Sequence, residues 1–183
     1  MVKIVSWNIN SVRIRINLLV DLIKKIKPDI ILLQEIKCSN IDFPDFYTEL
    51  GYSIIINGQK GKFGVASLVK KNLSFTEIKL SHEIFKKESR TNFFYVNEID
   101  LNILNVYTPN GNPIENKEKF EFKTFWLGEI KKISQKYINE VKNLLIAGDF
   151  NVIEHRKDVT VFENWENDAL GNIMIRKKFT QII

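Results

Sequence analysis

The chain has 183 residues, 44% of them hydrophobic and 27% charged, which suits one globular domain with a core of ordinary size and excludes a disordered or fibrous chain. Apolar runs such as Ile30 to Leu33 fall far short of the ~20 residues that a bilayer span needs, so no membrane partner is expected. A formal charge of +5 and a pI of about 9.2 favour an anionic partner, although a lysine-rich solvated surface gives the same balance.

The N-terminus enters a strand directly, Lys3 to Ile9, without the charged-then-apolar profile of a signal peptide. Cys38 is the one cysteine, so no disulfide framework can form, and a cytoplasmic location is expected. Asn10 or Ser11 then caps a helix whose apolar stripe is Leu18, Leu19, Leu22, Ile23 and Ile26. Lys27-Pro28-Asp29 breaks it, and Ile30 to Glu35 reads as a buried strand ending in a carboxylate. Phe43 to Leu50 is a short helix opened by Pro44. Ser53 to Ile56 and Gly64 to Val69 are strands joined by a glycine- and lysine-rich turn, and Phe75 to Leu80 is a further strand. Thr91 to Val96 and Leu101 to Val106 form a hairpin around Asn97 to Asp100, and its second strand ends in Tyr107-Thr108-Pro109-Asn110-Gly111. Glu115 to Val141 is the longest helix, its buried stripe marked by Phe122, Phe125, Trp126, Ile130, Ile133 and Tyr137. A final helix begins near Asn172, with Ile175, Phe179, Ile182 and Ile183 on one face that the chain leaves uncovered. No repeat or linker divides residues 1–183, and a single domain is expected.

The strand before that last helix carries the strongest signal. Leu144 to Ala147 is an apolar run that stops at Gly148 and then releases Asp149 and Asn151, which on an extended chain point the same way while Phe150 returns to the core. An Asx turn closing a strand gives the same local pattern. The pattern, however, recurs: Asn8, Glu35, Tyr107, Asp149 and Asn151 each lie at or just past the end of a predicted strand, where sheets of this kind gather ligands. Few carboxylates with neutral amides, and no histidine or cysteine cluster, suit a hard cation such as Mg2+ rather than zinc. A metal beside a carboxylate able to orient water is what phosphodiester hydrolysis requires.

Five segments resemble, in order, the motifs of the exonuclease III family of bacterial abasic-site endonucleases, within the endonuclease/exonuclease/phosphatase superfamily. They are Trp7-Asn8-Ile9-Asn10-Ser11-Val12-Arg13, Leu33-Gln34-Glu35-Ile36-Lys37, Gly58-Gln59-Lys60-Gly61 with Gly64-Val65-Ala66, Asn105 to Gly111, and Gly148-Asp149-Phe150-Asn151. The resemblance implies an α/β fold, a four-layer αββα sandwich with two sheets face to face. It implies cleavage of double-stranded DNA 5′ to abasic sites and at 3′ ends, dependent on Mg2+ or Mn2+, by a monomer. It implies that Glu35 is the main metal carboxylate with Asn8 holding it, that Asp149 orients or deprotonates the attacking water, and that Asp149 and Asn151 adjoin the metal. It further implies that Asn151 stabilises the phosphate, that Tyr107 hydrogen-bonds it, and that Asn10, Arg13, Arg90 and Asn110 contact DNA. Ser11 stands where the family usually has glycine.

Family members continue to a closing Ser-Asp-His, whereas His82 and His155 lie in other contexts, so an incomplete second sheet and lowered activity are expected. Losing one transition-state contact costs about 10²- to 10³-fold in rate. The alternative expectation is a catalytically impaired or dead remnant that binds DNA or a partner. Within the enzyme class, a phosphodiesterase of RNA or lipid headgroups is a further alternative.

Overall fold

Two four-stranded sheets lie face to face, and their architecture follows from which strands are apolar on both faces. The computed structural model describes residues 1–182, so the expectation for Ile183 lies outside the described residues. The strands are β1 (Ile4–Asn8), β2 (Ile30–Gln34), β3 (Tyr52–Asn57), β4 (Val65–Lys70), β5 (Phe75–Glu77), β6 (Thr91–Val96), β7 (Leu101–Tyr107) and β8 (Leu144–Asp149); the α-helices are α1 (Ile16–Ile26), α2 (Lys117–Asn139) and α3 (Ile173–Phe179). One compact unit comprises Met1–Tyr107 and Asn143–Asp149; the other comprises Thr108–Lys142 and the chain from Phe150 onward. No helix among the described residues is long and apolar enough to cross a membrane.

The first unit holds both sheets, ordered β1-β2-β4-β3 and β5-β6-β7-β8. β1 runs parallel to β2 and β7 parallel to β8, while the other neighbours are antiparallel. Every residue of β2 is buried because each of its faces has a partner. Ile30 and Leu32 join Ile55, Val69, Phe94, Val96 and Ile103 between the sheets. Ile31 and Leu33 face the other way, packing with Leu19 and Ile23 of α1 and with Tyr47, Ala66 and Leu68. The α/β class with two opposed sheets is thus the one expected.

Several local expectations are corrected. α1 starts after Arg15, not at an Asn10 or Ser11 cap: both residues have positive φ, 45° and 85°, and form a turn before the helix. Its buried stripe is narrower than read, since Leu18 and Ile26 are exposed. β8, whose apolar run reads as a buried strand, is instead an edge strand and half-buried throughout.

In the second unit, α2 opens on Asn116, whose side chain caps Lys119 N. Its buried face is turned from the expected aromatic stripe: Lys123, Trp126, Leu127, Glu129, Ile130 and Ser134 are buried, and Phe125 is 52% exposed. α3, capped by Asn172, does not leave its apolar face uncovered; Ile175 and Ile182 are buried, and Ser134 of α2 donates its hydroxyl to Ile182 O. Phe150 is half-buried and meets Phe179 edge-on at 5.0 Å, rather than re-entering a sheet core.

Candidate active site

The space between the sheets changes character along its length. At one end it is filled by Ile30, Leu32, Val69, Phe94, Val96 and Ile103; at the other the same alternation delivers Gln34, Ser67, Asn92 and Asn105, all buried. Buried polar groups must pair, and these do. Asn105 accepts from Gln34 Nε2 at 2.8 Å and donates through Nδ2 to Leu33 O, Ala66 O and Ser67 Oγ at 3.2, 3.1 and 3.3 Å. Gln34 immediately precedes Glu35, and Asn105 precedes Tyr107 by two residues, so this amide pair ties together the two strands that end in candidate groups.

Four predicted residues meet at those strand ends. Asn8, the last residue of β1, donates Nδ2 to Glu35 Oε1 at 2.9 Å and to Asp149 Oδ2 at 2.8 Å, while its Oδ1 accepts from Asn10 N at 3.1 Å. Tyr107 and Asp149 are opposite one another in the parallel β7–β8 register. The Tyr107 hydroxyl hydrogen-bonds Glu35. Gly148 makes this approach of β8 possible: it adopts φ +146°, and a Cβ there would stand 2.0 Å from Val106 O.

Lys37 completes the charge pattern, its Nζ lying 2.9 Å from Glu35 Oε2 and also bonding Asn10 Oδ1. Two carboxylates and one ammonium leave a net negative charge among oxygen donors. Burial opposes ionisation of Glu35, but hydrogen bonds from Asn8, Lys37 and Tyr107 and the Lys37 charge outweigh it and hold the carboxyl below its usual range. Burial chiefly, and then the Glu35 charge and hydrogen bond, push the Tyr107 phenol well up, with Arg90 opposing. Tyr107 is therefore a neutral donor at physiological pH, not a phenolate.

Arg90 is 5% exposed, its guanidinium stacked 4.1 Å over the Phe63 ring and 4.6 Å over Tyr107, with one amine donating to Tyr107 O at 3.2 Å and Nε bonded to Glu88. Arg13 stands exposed on the turn before α1; the nearby Asp42 carboxyl is held below its usual range chiefly by the Ser39 hydroxyl and, to a lesser degree, by the Arg13 charge.

Asn110 and Asn151 belong to the second unit. Asn151 takes φ 49°, so the period-two alternation ends at Asp149 and does not set its direction; instead its Nδ2 donates to Thr108 O at 2.8 Å. Asn110 is exposed, its Oδ1 accepting from Asn112 N at 3.1 Å. Both backbone carbonyls accept from Lys123, which sequence reading missed. The available signal was a lysine lodged between Phe122 and Trp126 on a helix face otherwise read as aromatic.

Residues 5–174 match the Endonuclease/Exonuclease/phosphatase family. Exodeoxyribonuclease III of Haemophilus influenzae is 32% identical over 167 residues, covering 87% of this chain, which spans 61% of that relative's length. An AP endonuclease from Archaeoglobus fulgidus superposes with a TM-score of 0.84 at 28% identity, covering 100% of this chain and 70% of that one. A 3′–5′ exonuclease from Neisseria meningitidis gives 0.83 at 25% identity, covering 98% and 70%. With most of its length matched and its two opposed sheets superposing on those enzymes, the chain belongs to the endonuclease/exonuclease/phosphatase family.

Proposed function

We propose that the chain is a DNA-repair phosphodiesterase of the exonuclease III type, a cytoplasmic monomer that uses Mg2+ to hydrolyse double-stranded DNA at abasic sites and 3′ ends. The observation that carries this reading is the junction at Asn8, whose one amide nitrogen bonds both Glu35 and Asp149 while Tyr107 bonds Glu35.

The donors suit a hard cation. Glu35 and Asp149 offer carboxylate oxygens, the site retains net negative charge beyond Lys37, and Mg2+ takes one or two carboxylates and otherwise water. Among the described residues no group of three His, Cys, Asp or Glu side chains gathers, and a zinc-type cage is not what these donors form. Glu35, with Asn8, would hold the ion, and when bound it supplies positive charge to the phosphate oxygens.

The chain's own residues divide the remaining work. Asn8 fixes the Glu35 and Asp149 carboxylates by giving each a hydrogen of one amide, which prevents either from rotating away. Asp149 orients a water molecule and accepts its proton; the water oxygen bonds to phosphorus, the P–O3′ bond breaks, and the 3′ oxygen takes a proton from solvent. Tyr107, kept neutral, gives its one hydroxyl hydrogen to Glu35 in the unbound site and turns it to the phosphate when DNA binds, while Arg90 stacked on its ring holds the ring in place. Asn151 stabilises the phosphate, and Asn10, Arg13 and Asn110 contact DNA; Arg90, expected from the resemblance to touch DNA as well, is 5% exposed and held by Phe63, Tyr107 and Glu88, so we assign it the support of Tyr107 instead.

A duplex with one abasic analogue, incubated with and without Mg2+, tests this. Incision that requires the ion and is lost in Glu35→Ala is the expected result. Retained duplex binding without incision by the wild type would overturn the hydrolase reading in favour of a chain that only binds DNA.

A further inference from the structure

Lys123 of α2 is 0% exposed, yet carries a charge-bearing group into the interior of the second unit. Its Nζ donates to Asn151 O at 2.6 Å and to Asn110 O and Ala169 O at 3.0 Å each. Three acceptors need three hydrogens, and an ammonium has three where an amine has two. The surroundings are shaped to admit the side chain. Gly111 adopts φ +84°, and a Cβ there would lie 2.7 Å from Lys123 Cδ. The third acceptor is itself fastened: Asn112 donates to both Asp168 carboxylate oxygens at 3.0 and 2.9 Å and accepts from Ala169 N at 2.9 Å.

Filling space does not account for this arrangement, because a methionine of similar length would fill it without the desolvation that a buried ammonium incurs. Resting on the reading of Asn110 and Asn151 as the DNA- and phosphate-contacting residues, we propose that Lys123 is their positioning residue. Its ammonium clamps three loop carbonyls, holds Asn151 in its left-handed turn at φ 49°, and so aims an amide already tethered to Thr108 O. A left-handed asparagine is tolerable but not preferred, so its conformation needs such outside constraint.

The clamp is tested in the labelled full chain by NMR couplings across hydrogen bonds, from Lys123 Nζ to the carbonyl carbons of Asn110, Asn151 and Ala169. Three couplings on a slowly exchanging ammonium are expected, and this measurement needs no variant to fold. Lys123→Met should move the Asn151 side-chain amide signals while leaving those of β2 and β4 in place, with Lys123→Gln, which keeps two donors, falling between. With the abasic duplex, Lys123→Met should lower kcat about 10²-fold with KM within about threefold, as misplacement of a positioned group does. Absent couplings, or a folded Lys123→Met with unmoved Asn151 signals, would overturn the clamp. Couplings present in a wild type that does not incise would uphold the clamp and defeat the hydrolase reading.

Discussion

Replacing Asn105 probes the amide pair between the sheets. Asn105→Ala removes the bond from Gln34 and the two hydrogens that Nδ2 shares among Leu33 O, Ala66 O and Ser67 Oγ. Three bonds at about 1 kcal/mol net each, with about 1 kcal/mol for the cavity left at a fully buried position, give a loss of about 3–4 kcal/mol. For a chain of this size that lowers Tm by roughly 6–15 °C. Asn105→Asp should be worse at neutral pH despite its matching shape, since it sets a buried carboxylate against two carbonyl oxygens, a defect worth about 3–5 kcal/mol. Acidification should narrow the gap by restoring a donor. Urea unfolding followed by circular dichroism measures all three, and a double-mutant cycle with Gln34→Leu should yield a coupling of about 1 kcal/mol or more. An Asn105→Ala variant as stable as the wild type, or a strictly additive cycle, would refute the reasoning.

Ser11→Gly should stabilise the chain by about 0.5–1 kcal/mol, because relief of its left-handed φ of 85° is worth about 1–2 kcal/mol against the about 0.5–1 kcal/mol entropy cost of glycine; a lower Tm would contradict this. Gly148→Ala should cost about 3 kcal/mol, since its Cβ would meet the main chain at Val106 O, and chemical denaturation that finds no loss would disprove that close approach. Glu35 has a folded pKa below its ordinary value of 4.5, so its contribution is fully present above pH 4.5 and lost as the pH falls through the lower folded value. The Tm–pH curves of the wild type and Glu35→Gln should therefore converge in that acidic window, and parallel curves would count against the pairing.

Where a segment's burial matches its periodicity, the sequence is easily read. Thr91 to Val96 forms β6 over the predicted residues, and Ile30 to Leu33 is buried on both faces as its unbroken apolar run suggests. β8 carries the same kind of run but lies at a sheet edge, because strand order depends on pairings that no local pattern encodes. α2 defeats periodicity differently: hydrophobicity placed Phe125 inward, whereas three carbonyls from distant segments drew in Lys123 instead. The candidate site was legible as a set of polar residues ending strands. Its partners Lys37, Phe63 and Glu88 come from turns whose geometry is set by tertiary hydrogen bonds.

Those turns also explain how a strand can supply both core and chemistry. Had β2 continued, Glu35 would share the face of Ile31 and Leu33 and enter the packing beneath α1, where a carboxylate has no place. It instead takes φ 53°, a conformation that costs about 1–2 kcal/mol and redirects the side chain toward Asn8. Neighbouring main-chain bonds enforce it: Glu35 O accepts from Ser11 N at 2.7 Å, Ile36 N donates to Gly64 O at 3.1 Å, and Lys37 N donates to Phe63 O at 3.0 Å. Ser11, Lys37 and Phe63 also have positive φ, as does Gly64 without steric penalty, so the unfavourable turns around Glu35 form one interlocked group. Relaxing any one of them alone would break a bond to another, and this mutual restraint keeps Glu35 aimed at Asn8 without help from the regular lattice of either sheet.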